Sequence, residues 1–288
     1  TPGAPTRAAT TPPLCCASQA PTEIRGHQMT GRPVIVTRPA REAGQWVDDL
    51  RAAGLEAGAL PLVVIEPVRD AEALRAAWRR IEDYAALMFV SATAVEHFFQ
   101  NRDADSSDEA MAGRRFWATG PGTTRALLRV GVPPEAMDAP PPEAKRFHSE
   151  ALWERVQAQV SAGVRVLIVR GGDEAGQPAG RDWLAKEIDA ANGRRDTVVA
   201  YRRLPPLFDV RQHQLAMDGA QGRAIWLFSS SEAIANLQRA MPGTDWHAAS
   251  AVATHARIGG AGRAAGFGAL RVCTPLRDAL IASIESLA

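Results

Sequence analysis

Val34-Ile35-Val36-Thr37-Arg38, an apolar β-branched run closing on arginine, returns as Leu167-Ile168-Val169-Arg170. Phe89-Val90-Ser91-Ala92-Thr93-Ala94-Val95 returns as Phe228-Ser229-Ser230-Ser231-Glu232-Ala233-Ile234, and Trp117-Ala118-Thr119-Gly120 as Val252-Ala253-Thr254-His255. The three pairs keep one order along the chain. One match would mean little; three collinear matches point to two related lobes, and two lobes make a cleft between them.

Around these runs the chain alternates short apolar strands with amphipathic segments. The periodicity predicts strands at 34–36, 60–65, 86–90, 116–118, 164–169, 196–201, 224–228, 250–254 and 270–273. It predicts helices at 40–53, from a cap at Asp70 to Glu82, at 92–100, from Gly120-Pro121-Gly122, and at 147–161, 180–191, 207–218, 231–240, 256–265 and 276–287. Residues 101–114 and 171–179 read as loops. Strands that are apolar throughout, each followed by a helix, mean parallel sheets with helices on both faces. Val64–Val68 and Ala200–Pro205 break the rhythm: each is extended, and each closes the opening β-α-β of its half. They are expected to pair as a crossing between lobes.

The chain has 288 residues, 46% hydrophobic and 23% charged, with a formal charge of +1. That is the size of two ordinary soluble domains. The near-zero charge excludes a strongly basic nucleic-acid binder but leaves room for a local basic cleft. Three cysteines, two of them adjacent at Cys15 and Cys16, give no disulfide framework, so a cytoplasmic location is expected. No apolar run nears the roughly 18 residues needed to span a bilayer. Residues 1–31, rich in Thr, Pro and Ala, are expected to be a disordered extension outside the fold. Met29 is expected to mark the natural start.

Several pieces, in order and spacing, resemble the uroporphyrinogen-III synthase family. They are Val34–Pro39, Gly54–Ala57 leading to Leu60-Pro61-Leu62, Leu87–Val95, Thr119–Thr124, Val166–Gly171 with Gly180-Arg181, Val198–Tyr201, Leu227–Ile234, and 250–267 closing on Gly266-Phe267. The resemblance runs from about Pro33 to the C-terminus. It implies an α/β fold of two flavodoxin-like parallel-sheet lobes joined by a two-stranded antiparallel linker. Residues 33–62 and 206–288 would make one discontinuous lobe, 69–199 the other, and 63–68 with 200–205 the linker strands.

The implied reaction takes hydroxymethylbilane to uroporphyrinogen III, with loss of water and inversion of the last pyrrole. The substrate is a flexible linear tetrapyrrole with eight carboxylates. The enzyme's task is therefore to hold one folded conformation and to assist departure of hydroxide. The cation left behind is electron-rich, so no metal or organic cofactor is implied. The expected partner is that small molecule alone, with transient handover from the enzyme that makes it. A monomer touching neither nucleic acid nor membrane is expected. The rival reading is a non-catalytic two-lobed anion-binding or sensor protein of the same fold.

The resemblance aligns Tyr201 with the family's linker tyrosine, a hydrogen-bond or proton donor to the leaving hydroxyl. Ser91 and Ser230 stand at equivalent strand ends before helices, where hydroxyls and free amides suit carboxylates or simply cap the helix. Gly120, Gly122 and Thr123 form an anion-ready loop at a helix start. The second half has His255-Ala256-Arg257-Ile258-Gly259 there instead, so any contacts must come from Thr254, His255, Arg257 or main chain. Arg38, Arg170 and Arg181 are read at strand ends or helix starts, able to hold a polyanion or to pair with a nearby acid. Arg202 and Arg203 share that ambiguity. The histidines (27, 97, 148, 213, 247, 255) show no metal-ligand spacing. His97 reads as packed or solvated and Cys273 as core. Gly260-Ala261-Gly262-Arg263-Ala264-Ala265 fits a relaxed dinucleotide fingerprint but falls inside a predicted helix, where it reads as chance.

Overall fold

The computed structural model describes residues 31–102, 111–141 and 149–287. The expected N-terminal extension, Cys15, Cys16, His27 and His148 lie outside these residues, as do 103–110 of the expected 101–114 loop. In chain order the first half contains β1 (Val34–Val36), α1 (Ala40–Ala52), β2 (Ala57–Ala59), β3 (Val64–Pro67), α2 (Glu72–Arg79), β4 (Ala86–Phe89), α3 (Ala92–Gln100), β5 (Arg115–Ala118), α4 (Pro121–Arg129) and β6 (Met137–Asp138). Then follow α5 (Ser149–Val156), β7 (Arg165–Gly172), α6 (Trp183–Ala190), β8 (Arg194–Leu204), α7 (Val210–Ala220), β9 (Ile225–Phe228), α8 (Ser231–Ala240), β10 (Ser250–Ala253), α9 (Ala256–Ala264), β11 (Ala269–Val272) and α10 (Arg277–Glu285).

Two sheets result, ordered β11-β10-β9-β1-β2 and β3-β8-β7-β4-β5-β6. Every pairing is parallel except β3 with β8, which run antiparallel with Val64 opposite Leu204 and Pro67 opposite Tyr201. The fold is therefore two parallel-sheet lobes joined by an antiparallel pair.

The strands are apolar throughout because both faces of each sheet are covered. Val34 and Val36 enter one core with Val47, Leu50 and Ile284, while Ile35 enters another with Trp226, Phe228 and Trp246. In the second sheet Ala86 and Met88 point to one core, Leu87 and Phe89 to the other. Aromatic rings fill each sheet's larger core: Trp78 stacks on Phe98 at 4.6 Å, and Trp226 lies parallel to Phe228 at 5.7 Å. The cores use ordinary burial and aromatic packing.

Several boundaries differ from the periodic reading. The strand expected at 60–65 splits. Ala57–Ala59 pairs with β1, and Leu60–Val63 turns beneath the sheet, the Leu60 and Leu62 N–H groups donating to Val36 O and Thr37 O. Ala-Gly-Ala carries no strand signal of its own; its ladder with Val34–Val36 supplies one. Asp70 does accept the Glu72 N–H (2.8 Å), but α2 ends at Arg79 and a 3₁₀ turn takes Ile81–Asp83. The helix expected at 147–161 gives way to a 3₁₀ turn at Gln157–Gln159. α6 begins at Trp183, not 180. Asp209 and Gln212 form a capping box that starts α7 at Val210. β7 runs on through Gly171-Gly172, and β8 runs from Arg194 to Leu204, past the ends expected for both. Cys273 lies just after β11, half-buried.

Candidate active site

The lengthening of β8 decides where Tyr201 sits. Its first part pairs with β7 and its last part with β3, so Tyr201 is inside the strand, not at its end. The β7–β8 register slips between Arg170 and Gly171, which sets Gly171 opposite Tyr201. A Cβ on Gly171 would lie 2.6 Å from the tyrosine ring, so glycine is what lets the ring lie there. Tyr201 is 5% exposed. Its hydroxyl is 3.2 Å from Ser91 Oγ, and the His97 ring lies tilted beside it, centroids 5.7 Å apart.

Ser91 caps α3, its Oγ accepting the Ala94 N–H at 3.0 Å. It thus holds the helix start and the phenol together. Thr119 Oγ1 donates to Val90 O (3.2 Å), tying the end of β5 to the end of β4. Burial pushes the Tyr201 phenol up and the His97 imidazole down, so Tyr201 is a protonated donor at neutral pH and His97 is uncharged there.

The protein's other tyrosine, Tyr84, is buried at the far end of the same sheet and donates to Asp196 (2.8 Å). Burial and that carboxylate push it up to about 12. Both folded values exceed the unfolded one, so any stability these groups confer is complete below about pH 10 and lost as pH rises through the folded values. A spectrophotometric titration of the native protein is expected to show neither phenol ionising near pH 10. An ordinary tyrosine wave there would contradict the burial described.

Between the lobes lies a cavity of about 920 Å³. One wall is the start of α1 (Arg38, Arg41, Glu42, Trp46) with the β2–β3 connection (Val63–Ile65). The other is α3 (Ala92, Thr93, Glu96, His97) and the start of α4 (Gly120–Thr123, then Arg125 and Arg129). A smaller cavity of about 290 Å³ opens between β4, β7 and α6; Thr119 lines both.

Of the residues read from the sequence, Arg38, Gly120, Gly122 and Thr123 come together on the larger cavity, with Ser91 immediately before the lining residues Ala92 and Thr93. Thr123 is 4% exposed, so its side chain serves the core and only the exposed turn at Pro121-Gly122 faces solvent. Arg170 and Arg181 line the smaller cavity. Ser230, Thr254, His255 and Arg257 line neither. In the first sheet, β9 and β10 stand one and two strands beyond β1, so the loop after β1 reaches the cleft and theirs do not. Ser230 caps α8 by accepting the Glu232 N–H (3.1 Å), and Thr254 N–H donates to Phe228 O. His255 takes the cap of α9, its Nδ1 accepting the Arg257 N–H (3.1 Å). The glycines of α9 serve packing: a Cβ on Gly259 or Gly262 would fall 2.5 Å from Val272 or 2.3 Å from Leu270.

The arginines read at strand ends are mostly paired. Arg38 bonds Glu42 (2.7 Å) and lies over Trp46. Arg170 is not at a strand end but within β7. It is 4% exposed and bonded to Asp182, Ala179 O and Arg181 O, which fixes the loop ahead of α6. Arg181 precedes α6 and pairs with Glu150 at 2.5 Å. Arg202 bonds Glu66 across the crossing strands (2.7 Å), and Arg203 approaches Glu232 at 3.4 Å. The sequence reading did not single out Arg41, Trp46, Glu96, Arg125 or Arg129. Arg125 and Arg129 were visible as an i, i+4 pair, but nothing local said which surface they face. Among the described residues no cluster of His, Cys, Asp and Glu could hold a metal ion, and no helix is long and apolar enough to cross a membrane.

A family model for uroporphyrinogen-III synthase HemD matches residues 44–281. The uroporphyrinogen-III synthase of Synechococcus elongatus is 27% identical over 234 residues, 80% of this chain and 84% of that protein. The porphyrin biosynthesis protein HemD of Ruminiclostridium josui is 26% identical over 120 residues, 41% of this chain; that match spans only 24% of the relative's length. Among solved structures, a mutant uroporphyrinogen III synthase from the extreme thermophile Thermus thermophilus superposes with a TM-score of 0.56 at 16% identity, over 89% of this chain and 98% of that one. At that identity the likeness speaks for the fold. With the family model covering most of the two-lobed fold, the chain belongs to the uroporphyrinogen-III synthase family.

Proposed function

We propose that this chain is a cyclising hydro-lyase that converts hydroxymethylbilane to uroporphyrinogen III in tetrapyrrole (haem) biosynthesis, with inversion of ring D. The observation that carries this reading, beside the family, is the arginine-lined cavity between the lobes, within the usual range for small-molecule sites. A folded polycarboxylate would be gripped from both sides, with its reacting end toward Ser91 and Tyr201. The C–O bond of the hydroxymethyl group breaks as its oxygen takes a proton from the Tyr201 phenol, beside Ser91, and leaves as water. The substituted α-carbon of ring D, which carries the methylene from ring C, then attacks the cation. The old bond from that carbon to the methylene breaks, the methylene bonds instead to ring D's free α-carbon, and the proton lost there returns to the phenolate, leaving ring D inverted. What the protein contributes is one held conformation and one neutral donor.

In this reading residues 33–62 with 206–288 close on 69–199 by bending at 63–68 and 200–205. The protein works as a cytoplasmic monomer, receiving its unstable substrate by handover. The deciding experiment adds freshly generated hydroxymethylbilane and identifies the product isomer. Isomer III, formed faster than spontaneous cyclisation, is expected. Isomer I alone at the spontaneous rate would overturn the reading and leave a non-catalytic anion-binding relative.

A further inference from the structure

The charges around the larger cavity do not balance. Four arginines (Arg38, Arg41, Arg125, Arg129) line it, against two carboxylates, Glu42 and Glu96. Arg38 is accounted for by Glu42 and Trp46. The other three meet one acid. Glu96, with its carboxylate side chain 15% exposed, gives one oxygen to Arg41 from α1 of the opposite lobe and the other to Arg129 of α4 at 3.1 Å. Arg125 stands one turn before Arg129 on the same face of α4, exposed, with no hydrogen bond or ion pair among the described residues.

Concave surfaces with surplus charge of one sign attract ligands of the other. Guanidinium groups suit carboxylates and phosphates because their planar donor fork matches two oxygens, and here the group already held there is a carboxylate, Glu96. One glutamate divided between two arginines, with a third arginine unpaired one turn away, leaves more donors than it can fill.

We infer that Arg125 and Arg129 of α4, facing Arg41 of α1, form a carboxylate-binding wall, and that Glu96 occupies it in the free protein as a stand-in for a ligand carboxylate. A ligand with several carboxylates displaces Glu96 from Arg129 and Arg41 and engages Arg125 as well. The same exchange releases the Arg41–Glu96 tie between lobes and replaces it with the ligand itself. This deepens the function proposed above and rests on it for the identity of the natural ligand.

The test uses uroporphyrin I, an unreactive tetrapyrrole with eight carboxylates, titrated by fluorescence into the full-length protein. Arg125→Gln, Arg129→Gln and Glu96→Gln are compared with wild type, and KM for hydroxymethylbilane is measured alongside. Each arginine variant is expected to weaken uroporphyrin binding and raise KM about tenfold, the loss of one charge-assisted contact. Arg125→Lys should recover only part of the loss, and kcat should stay within about twofold in each, since the contact is made equally before and during reaction. Glu96→Gln should tighten binding and lower KM, an outcome that a purely structural clasp between lobes would not produce. Arg125 and Arg129 are exposed and Glu96 is partly buried, so circular dichroism melts are run first to check that each variant folds. Unchanged Kd and KM in both arginine variants, or weaker binding in Glu96→Gln, overturns the inference. Arginine-dependent uroporphyrin binding without isomer III from the wild type would instead sustain the wall and remove the proposed reaction.

Discussion

Tyr201→Phe is expected to lower turnover by about 10²-fold or more, the usual scale for a positioned acid, with KM little changed. The phenol is held neutral by burial and lies 3.2 Å from Ser91 Oγ, so the variant removes the donor that the proposed reaction assigns to the leaving oxygen. The fold should tolerate the change. Ser91 Oγ keeps its bond to the Ala94 N–H, and the ring itself stays within the larger core of the second sheet and beside His97. A melting temperature near wild type with turnover down is therefore the expected pair of results. Turnover equal to wild type would remove Tyr201 from the mechanism and leave conformational control as the protein's whole contribution.

Gly171→Ala is expected to harm both stability and turnover. The added Cβ would lie 2.6 Å from Tyr201 Cζ and 2.8 Å from its hydroxyl oxygen, closer than atoms pack. The ring has little room to yield: it is 5% exposed, with His97 beside it and Ser91 at its tip. Either β7 and β8 separate locally or the phenol swings off Ser91. Overpacking of this kind costs about 1–3 kcal/mol, which thermal or urea unfolding would register. If the phenol moves, turnover should fall toward that of Tyr201→Phe, and the double variant should be little worse than either single one. Gly171→Ala with wild-type stability and rate would mean that the β7–β8 slip does not position the ring.

Both expectations depend on contacts that a sequence pattern does not contain. Gly171 read as the first residue of a loop, because two glycines after an apolar run ordinarily end a strand. They continue it here because β8 lies alongside, and the small residues make space for Tyr201 and Val199. The arginines were harder still. Arg38 and Arg170 look alike in the repeat, yet one lies on the cleft beside Trp46 and the other is sealed in β7 under Asp182. The equivalence of Ser91 and Ser230 in the repeat met the same limit. Ser91 and Ser230 cap their helices in the same way, but only Ser91 adjoins the cavity.

The sequence alone determined what is local and periodic. Strands buried on both faces must be apolar at every position, so Val34–Val36, Leu87–Phe89 and Ile225–Phe228 announce a parallel sheet. A serine ahead of a helical period places a helix start, so α3 and α8 were legible to the residue. The antiparallel crossing was visible as two extended segments that broke the α/β rhythm. Tertiary structure decided the rest. Ala57–Ala59 became a strand only beside β1, and Tyr201 became a buried donor only through the slip at Gly171. Arg129 became a neighbour of Glu96 only when α3 packed on α4, and Arg41 only when the two lobes met. The reason is range: caps and periods act within a few residues. A cleft brings together side chains far apart in the chain, and their burial, pairing and remaining charge follow from that meeting.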